Sequence, residues 1–460
     1  MCAAALAAGG AVLCIGIWFS ARVNTEMQVA TAVVSHTLCS GVFISHLDPE
    51  QLYADAILPD PGQAKLAKRL RFIIDRKSPQ VTVNWAGHFE SRAVYRNDLG
   101  CMIVQHGEPN VALNETAPGN TVVATEASSA SSLLSAPPSR EIEAALDRAF
   151  AEPERPPYRR VKAIVILHNG KIVGERYAPG YSAETPLMGY SMSKSVTSAL
   201  IGILVRQGKL SVAQPAPISA WSEPADPRHA ITIDELLRMT SGLSIAESDS
   251  GFDPVSRMLF LERDMAGFAG RFGLKAAPGS TWEYTSGNTL ILSRIIRDSV
   301  GGNARDVTGF AQRELFGPLG MTSARIDFDA TGTPVGSMYI YATARDWARF
   351  GALYLNDGMA AGRRILPAGW ADYSAAPTLN TDYGAGFWTN RGGHGDGKDR
   401  VEGGMPRDSF YASGNFGQRI LIAPSENLVV VRLGQSHGPG QDMRGLVRLA
   451  ADLSASLGKQ

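Results

Sequence analysis

The sequence predicts an α+β protein: one antiparallel sheet with terminal helices on one face and a helical domain on the other, behind an N-terminal membrane anchor. Three observations predict it. A helical pattern at 141–151 is followed by two strand patterns at 162–167 and 171–177. A helix-rich stretch runs from 191 to about 300. Two further strand patterns, at 417–423 and 427–433, then lead into a helical pattern at 442–457. Strands that flank a long helical insertion pair most simply in one sheet, and the first and last helices then share a face.

The elements follow in order. Residues 2–19 are apolar, about the span a bilayer helix requires. No Lys or Arg precedes them and no small-x-small cleavage site follows, so they predict an uncleaved single-span anchor over 1–21. The body is then expected outside the cytoplasm, tethered to an inner membrane on its periplasmic side. Arg22, the first positive charge, follows the span and by itself argues for the opposite orientation.

Residues 22–108 predict a small β-rich juxtamembrane region, with a short helix starting at Asp48-Pro49 and strand pieces at 81–85, 92–96 and 101–104. Cys39 and Cys101 flank this region, while Cys2 and Cys14 lie in the apolar run. In an oxidising compartment the lone pair predicts a disulfide; the alternative is two buried thiols. Residues 109–139 are rich in Ala, Ser, Thr and Pro and predict a linker.

The body spans 140–460. Its first two strands are joined at His168-Asn169-Gly170, and Asn-Gly between apolar runs is a strong hairpin signal. Pro424-Ser425-Glu426 turns the second pair.

At 460 residues the chain is too long for one ordinary domain, and a hydrophobic content of 44% is ample for a core. Forty-four basic residues balance 44 acidic ones, and no basic run argues for a nucleic-acid partner. No H-E-x-x-H or C-x-x-C pattern points to a metal, so neither metal nor cofactor is expected.

The chemistry concentrates in three short segments. Ser191-Met192-Ser193-Lys194 reads S-x-x-K and opens a helical run with apolar Val196, Leu200, Ile203 and Leu204. Residues three apart share a helix face, so Ser191 and Lys194 are expected in one pocket. A serine at a helix start sits where free N–H groups favour developing negative charge, and a lysine one turn on accepts its proton if burial lowers the amine pKa. The second segment is Tyr284-Thr285-Ser286-Gly287-Asn288, behind a Pro278-Gly279 turn. The third is Ala412-Ser413-Gly414-Asn415-Phe416-Gly417-Gln418, entering the penultimate strand.

In this order, from about residue 140 onward, the chain resembles the serine β-lactamase and penicillin-binding-protein superfamily. It is most similar to class C β-lactamase-like hydrolases of the 6-aminohexanoate-dimer hydrolase and carboxylesterase branch. Residues 231–243 (ITIDELLRMTSGL) and 344–351 (ARDWARFG) add to the likeness. The resemblance implies a β-lactamase-like fold and an acylated nucleophile at Ser191. Lys194 and Tyr284 are implied as its proton-transfer pair, with the formal base left open. It implies an oxyanion hole from the N–H groups of Ser191 and Asn415, with Gly414, Ser286 and Ser413 lining the substrate site.

Two positions depart from that pattern. Ser286 stands where lactamases carry Asn, and Ala412-Ser413-Gly414 stands where they carry Lys-Thr-Gly. The missing lysine removes a cation for a substrate carboxylate. The expectation is therefore a serine hydrolase acting on a small-molecule ester or amide. The alternatives are a β-lactamase or DD-peptidase, and a catalytically silent penicillin-recognition fold that acts as a binding protein. His394, in Gly393-His394-Gly395, could imitate an H-x-G variant of the third motif, but its surroundings, 392–400, read as a mobile loop and argue against that role. His437 reads as a surface or packing residue, and Tyr339, Tyr341, Phe387 and Trp388 read as core before cleft.

Overall fold

The computed structural model describes residues 2–60, 62–104, 137–248 and 251–457, with side chains from residue 23 onward. Most of the linker expected at 109–139 lies outside these residues, as do the side chains of the expected anchor. Among the described residues no helix is long and apolar enough to cross a membrane.

The first helix does not end with the apolar run. It extends as one element, α1, from Cys2 to Phe43. It runs past the expected anchor boundary at residue 21, where strong helix formers such as Glu26, Met27 and Gln28 are followed by apolar residues at helical spacing. Val29, Ala32, Val34, Leu38, Cys39 and Val42 on α1 are all buried. Val34, Leu38 and Cys39 pack with Val81, Val83 and Ala93, while Val29 and Ala32 join the core of the body.

The strands packed against α1 form an antiparallel meander: β1 (Leu70–Asp75), β2 (Gln80–Trp85), β3 (His88–Tyr95) and β4 (Cys101–Val104). The sequence reading missed β1, whose mixture of Leu, Arg, Phe, Ile and Asp lacks clean alternation. Cys39 and Cys101 are disulfide-bonded, with Cα atoms 6.2 Å apart, tying α1 to β4. A bridge over 62 residues restricts the unfolded chain by about 4 kcal/mol in the loop-entropy account. Replacing both cysteines by serine is therefore expected to lower stability by roughly 2–4 kcal/mol in chemical denaturation. An unchanged midpoint would remove the bridge from the account.

A buried polar contact fixes this unit to the body. His36 Nε2 on α1 lies 3.0 Å from Asp327 Oδ2, and the imidazole stacks on Tyr339 at 3.9 Å between centroids. Asp327 also accepts hydrogen bonds from the Cys101 N–H (3.1 Å) and the Tyr341 hydroxyl (2.9 Å). Burial pushes the Asp327 carboxyl up, while these donors oppose the shift. Tyr339 and Tyr341 are thus core residues.

The body is built on a six-stranded sheet. β5 (Val161–His168) and β6 (Lys171–Tyr177) form the first hairpin, and Asn169 and Gly170 both take the positive φ a tight turn requires. With β7 (Trp388–Thr389), β8 (Phe410–Gly414), β9 (Gln418–Ala423) and β10 (Leu428–Gly434), the order is β7-β8-β9-β10-β5-β6, antiparallel throughout. Alternation along each strand sends side chains to two cores. Tyr411, Leu421 and Val430 meet the helices at Arg140–Phe150 and Met443–Leu457. Phe410, Ala412, Ile420 and Val429 meet the helical domain.

Candidate active site

The S-x-x-K segment lies at the junction of sheet and helical domain. A short 3-10 turn at Tyr190–Met192 runs directly into α2 (Ser193–Arg206). This helix is buried on nearly every side, which explains its unusual Ser and Thr content. Each buried hydroxyl finds a main-chain partner: Ser195 donates to Gly386 O (2.6 Å), Thr197 to Gly336 O (2.9 Å) and Ser198 to Ala385 O (3.0 Å). Ser193 accepts the Ile340 N–H at 3.1 Å. The helix is thereby held on two segments of the body, which fixes the face that carries Lys194.

Lys194 is 3% exposed. Its Nζ lies 3.1 Å from Ser191 Oγ, 3.0 Å from Ser286 Oγ and 3.1 Å from Ser337 O. Three partners saturate an ammonium. A neutral amine keeps Ser286 and Ser337 as acceptors and turns its lone pair to the Ser191 hydroxyl, so the geometry serves both protonation states. Burial pulls the amine down from its usual 10.5 to about 8, against an opposing pull from Glu247. At pH 7 about one lysine in ten is then neutral, against roughly one in three thousand without the shift.

Tyr284 stands beside the amine, which lies 4.7 Å from its ring centroid. The ring stacks on Trp388 at 5.8 Å and meets Tyr383 edge-on at 5.7 Å, with Trp282 completing the cluster. Trp388 is therefore a wall of the site rather than pure core, because its strand is the sheet edge and only half buries it. Phe387 is fully buried and belongs to the core.

Ser286 begins the 15-residue helix α3 (Ser286–Val300), whose N-cap is Thr285. The Glu247 carboxylate occupies this helix start, accepting from the Ser286 N–H and from its hydroxyl at 3.1 Å. Asn288 instead holds the Thr240-Ser241 segment, accepting from Ser241 Oγ at 2.8 Å.

Gly414, at the end of β8, packs on the Tyr190–Met192 turn. A Cβ there would run into the Gly189 carbonyl oxygen and lie 3.1 Å from Ser191 N, so a side chain cannot be accommodated. Four consecutive carbonyls from Gly414 onward are held. Arg419 Nη1 donates to Gly414 O (2.6 Å), Gln418 Nε2 to Asn415 O (3.1 Å), the Ser436 N–H to Phe416 O (2.9 Å) and Arg432 Nη1 to Gly417 O (2.7 Å). In a trans peptide the C=O and N–H point oppositely, so Arg419 directs the Asn415 N–H away from itself. Tyr190 and Phe416, with φ of 47° and 60°, pack edge to face at 5.1 Å across this junction. Such left-handed residues persist only where their surroundings impose them, and here they flank Ser191 and the facing strand end.

The Gly-rich segment around His394 is helical over Gly395–Glu402 rather than a loop. Asp382 organises it, accepting from the Gly397 N–H (2.6 Å) and lying 3.5 Å from both Arg400 Nη2 and His394 Nδ1. His394 is thus engaged by Asp382. His437 is largely buried against Phe416, with ring centroids 4.8 Å apart. The partners of Lys194 Nζ are Ser191, Ser286 and Ser337, and neither histidine is one of them. Arg391 pairs with Asp372 (2.8 Å) and Lys398 with Glu402 (3.5 Å). Ala412 is fully buried and Ser413 half-buried, so this strand offers no cation to the cleft.

The structure brings Ser191, Lys194, Tyr284, Ser286 and Gly414 together. Sequence reasoning missed Glu247, Ser337, Trp282 and Tyr383. Glu247 and Ser337 carry no local pattern, and Ser337 acts through its carbonyl. Trp282 was legible only as part of the segment leading into Tyr284.

A serine hydroxyl under a buried lysine amine, at a helix start facing the end of a sheet strand, defines a serine hydrolase of the S-x-x-K class. The sequence profile of the beta-lactamase family matches residues 157–455, and the chain belongs to that family. It is 26% identical over 298 residues to the 6-aminohexanoate-dimer hydrolase of Paenarthrobacter ureafaciens, covering 61% of this chain and 74% of that protein. Solved structures share the fold. A penicillin-binding-protein homologue from Caulobacter crescentus gives a TM-score of 0.54 at 19% identity, over 70% of this chain and 99% of its own. A family VIII carboxylesterase gives 0.51 at 15% identity, over 69% of this chain and 98% of its own.

Proposed function

We propose that the protein cleaves a small ester or amide through an acyl-enzyme on Ser191, with Lys194 as the base. The carrying observation is the buried amine 3.1 Å from Ser191 Oγ. Neutral Lys194 takes the Ser191 proton as Oγ bonds to the carbonyl carbon. The N–H groups of Ser191 and Asn415 receive the oxyanion, a contribution of several kcal/mol from preorganised donors. The bond to the leaving group breaks and Lys194 returns its proton to that group. Water then repeats the sequence and frees Ser191. Tyr284 shields the amine and assists transfer to the leaving group.

The substrate is read as lacking an essential carboxylate. A charge-assisted hydrogen bond contributes roughly 1.5–3 kcal/mol, so losing the lysine at position 412 weakens carboxylate binding about ten- to a hundredfold. Arg391 and Lys398 are paired elsewhere, which supports this reading. Short-chain esters such as p-nitrophenyl butyrate are therefore expected to be cleaved with kcat/KM above that of nitrocefin on one preparation. Faster nitrocefin turnover would replace the esterase reading with a lactamase one and leave the serine chemistry standing.

The reading also places the catalytic body outside the cytoplasm behind an N-terminal anchor. The apolar residues 2–19 and the Cys39–Cys101 disulfide support that placement.

A further inference from the structure

We propose that Glu247 is a positioning residue of this site: through Ser286 it holds the amine of Lys194 beside Ser191 and sets the pH at which that amine becomes a base. The inference rests on the assignment of Ser191 and Lys194 made above and adds a residue to it.

The geometry is a directed chain. Lys194 Nζ donates to Ser286 Oγ at 3.0 Å, and the same hydroxyl donates onward to Glu247 Oε1 at 3.1 Å. The Ser286 N–H, at the start of α3, donates to the other carboxylate oxygen. Glu247 is thereby seated by two bonds and aided by the helix N-terminus. A serine at 286 suits this role because one oxygen both accepts from the amine and donates to the carboxylate. An asparagine amide carries donor and acceptor on different atoms and cannot relay through a single point.

The electrostatics agree with the geometry. Burial favours the neutral amine and Glu247 favours the ammonium; the amine settles at about 8. The other titratable groups around it leave the carboxylate role to Glu247. Tyr284 lies alongside the amine. Tyr383, which senses both Tyr284 and Glu247, has its phenol pushed far up by burial and stays neutral. Arg419, which senses Tyr284, is drawn down to about 10 by burial and stays cationic near neutrality. Ser191, Ser286 and the Ser337 carbonyl are uncharged.

The consequence has a definite sign. Activity requires neutral Lys194, so kcat/KM rises with pH through the amine pKa. Removing the Glu247 charge lowers that pKa and moves the rising limb to lower pH. A merely structural role lowers the rate at every pH and leaves the limb in place.

The test is the pH profile of kcat/KM for p-nitrophenyl butyrate in the full chain and in E247Q, E247D and S286A, each with its melting temperature. E247Q is expected to move the rising limb down by roughly half a unit or more, since a charge a few ångströms away shifts a pKa by that order. E247D keeps the charge and is expected to hold the limb near its original position while lowering kcat. S286A, a small change at a helix start, keeps the proposal testable if E247Q does not fold. It deprives the ammonium of an acceptor and is expected to move the limb down. Rising limbs of E247Q and S286A that coincide with the unmodified protein's overturn the proposal. Loss of the assigned nucleophile is a separate outcome, read from S191A: retained hydrolysis there refutes the site itself, wherever the limbs fall.

Discussion

Ser191→Ala is expected to abolish turnover of every ester the protein cleaves while leaving its melting temperature nearly unchanged. The substitution deletes one oxygen from a half-buried position and leaves the turn backbone and its packing on Gly414 intact. Without the hydroxyl, no acyl-enzyme forms and water must attack unaided. Nucleophile removal in a serine hydrolase costs on the order of 10⁶ in kcat, so only the background rate should remain. An activity loss accompanied by a large fall in melting temperature would point to a folding role instead.

Lys194→Met is expected to have the second largest effect. Methionine is unbranched and roughly fills the buried channel of the lysine stem, so loss of the amine is separated from loss of volume. Proton transfer by a positioned base contributes about 10²–10⁴ to the rate, and that factor should disappear. The rising limb assigned to an amine near pH 8 should vanish with it. The variant leaves Ser286 Oγ and Ser337 O without their lysine donor, a cost of about 1 kcal/mol each, which thermal unfolding can follow. A variant of near-normal rate would transfer the base role to Tyr284.

Much of the site was legible because its chemistry sits in short segments with fixed spacing. Ser191 and Lys194 are three residues apart on one helical run, and a helix alone brings them together. The hairpins of the sheet were legible from Asn169-Gly170 and from Pro424, whose conformational demands are local. Glu247 was not legible, because its proximity to Ser286 comes from how the loop beyond Leu243 crosses the start of α3. The aromatic wall was legible only in part: Trp388 and Tyr284 meet through sheet-edge packing, and neither residue's neighbours in sequence announce it. The second half of α1 was obscured for another reason. The apolar run of membrane length carries no signal for the turns beyond it, and the helix continues because those turns are buried by β2, β3 and the body. The helix at Gly395–Glu402 reads as a loop in sequence because its glycines hide the capping supplied by distant Asp382.

The central claim is an acyl-enzyme on Ser191, and the most direct measurement is the intact mass of the protein after reaction with a fluorophosphonate, followed by mapping of the modified peptide. One adduct per chain is expected, located on Ser191, absent in Ser191→Ala and much slowed in Lys194→Met. An adduct on a different residue, or one that survives Ser191→Ala, would contradict it.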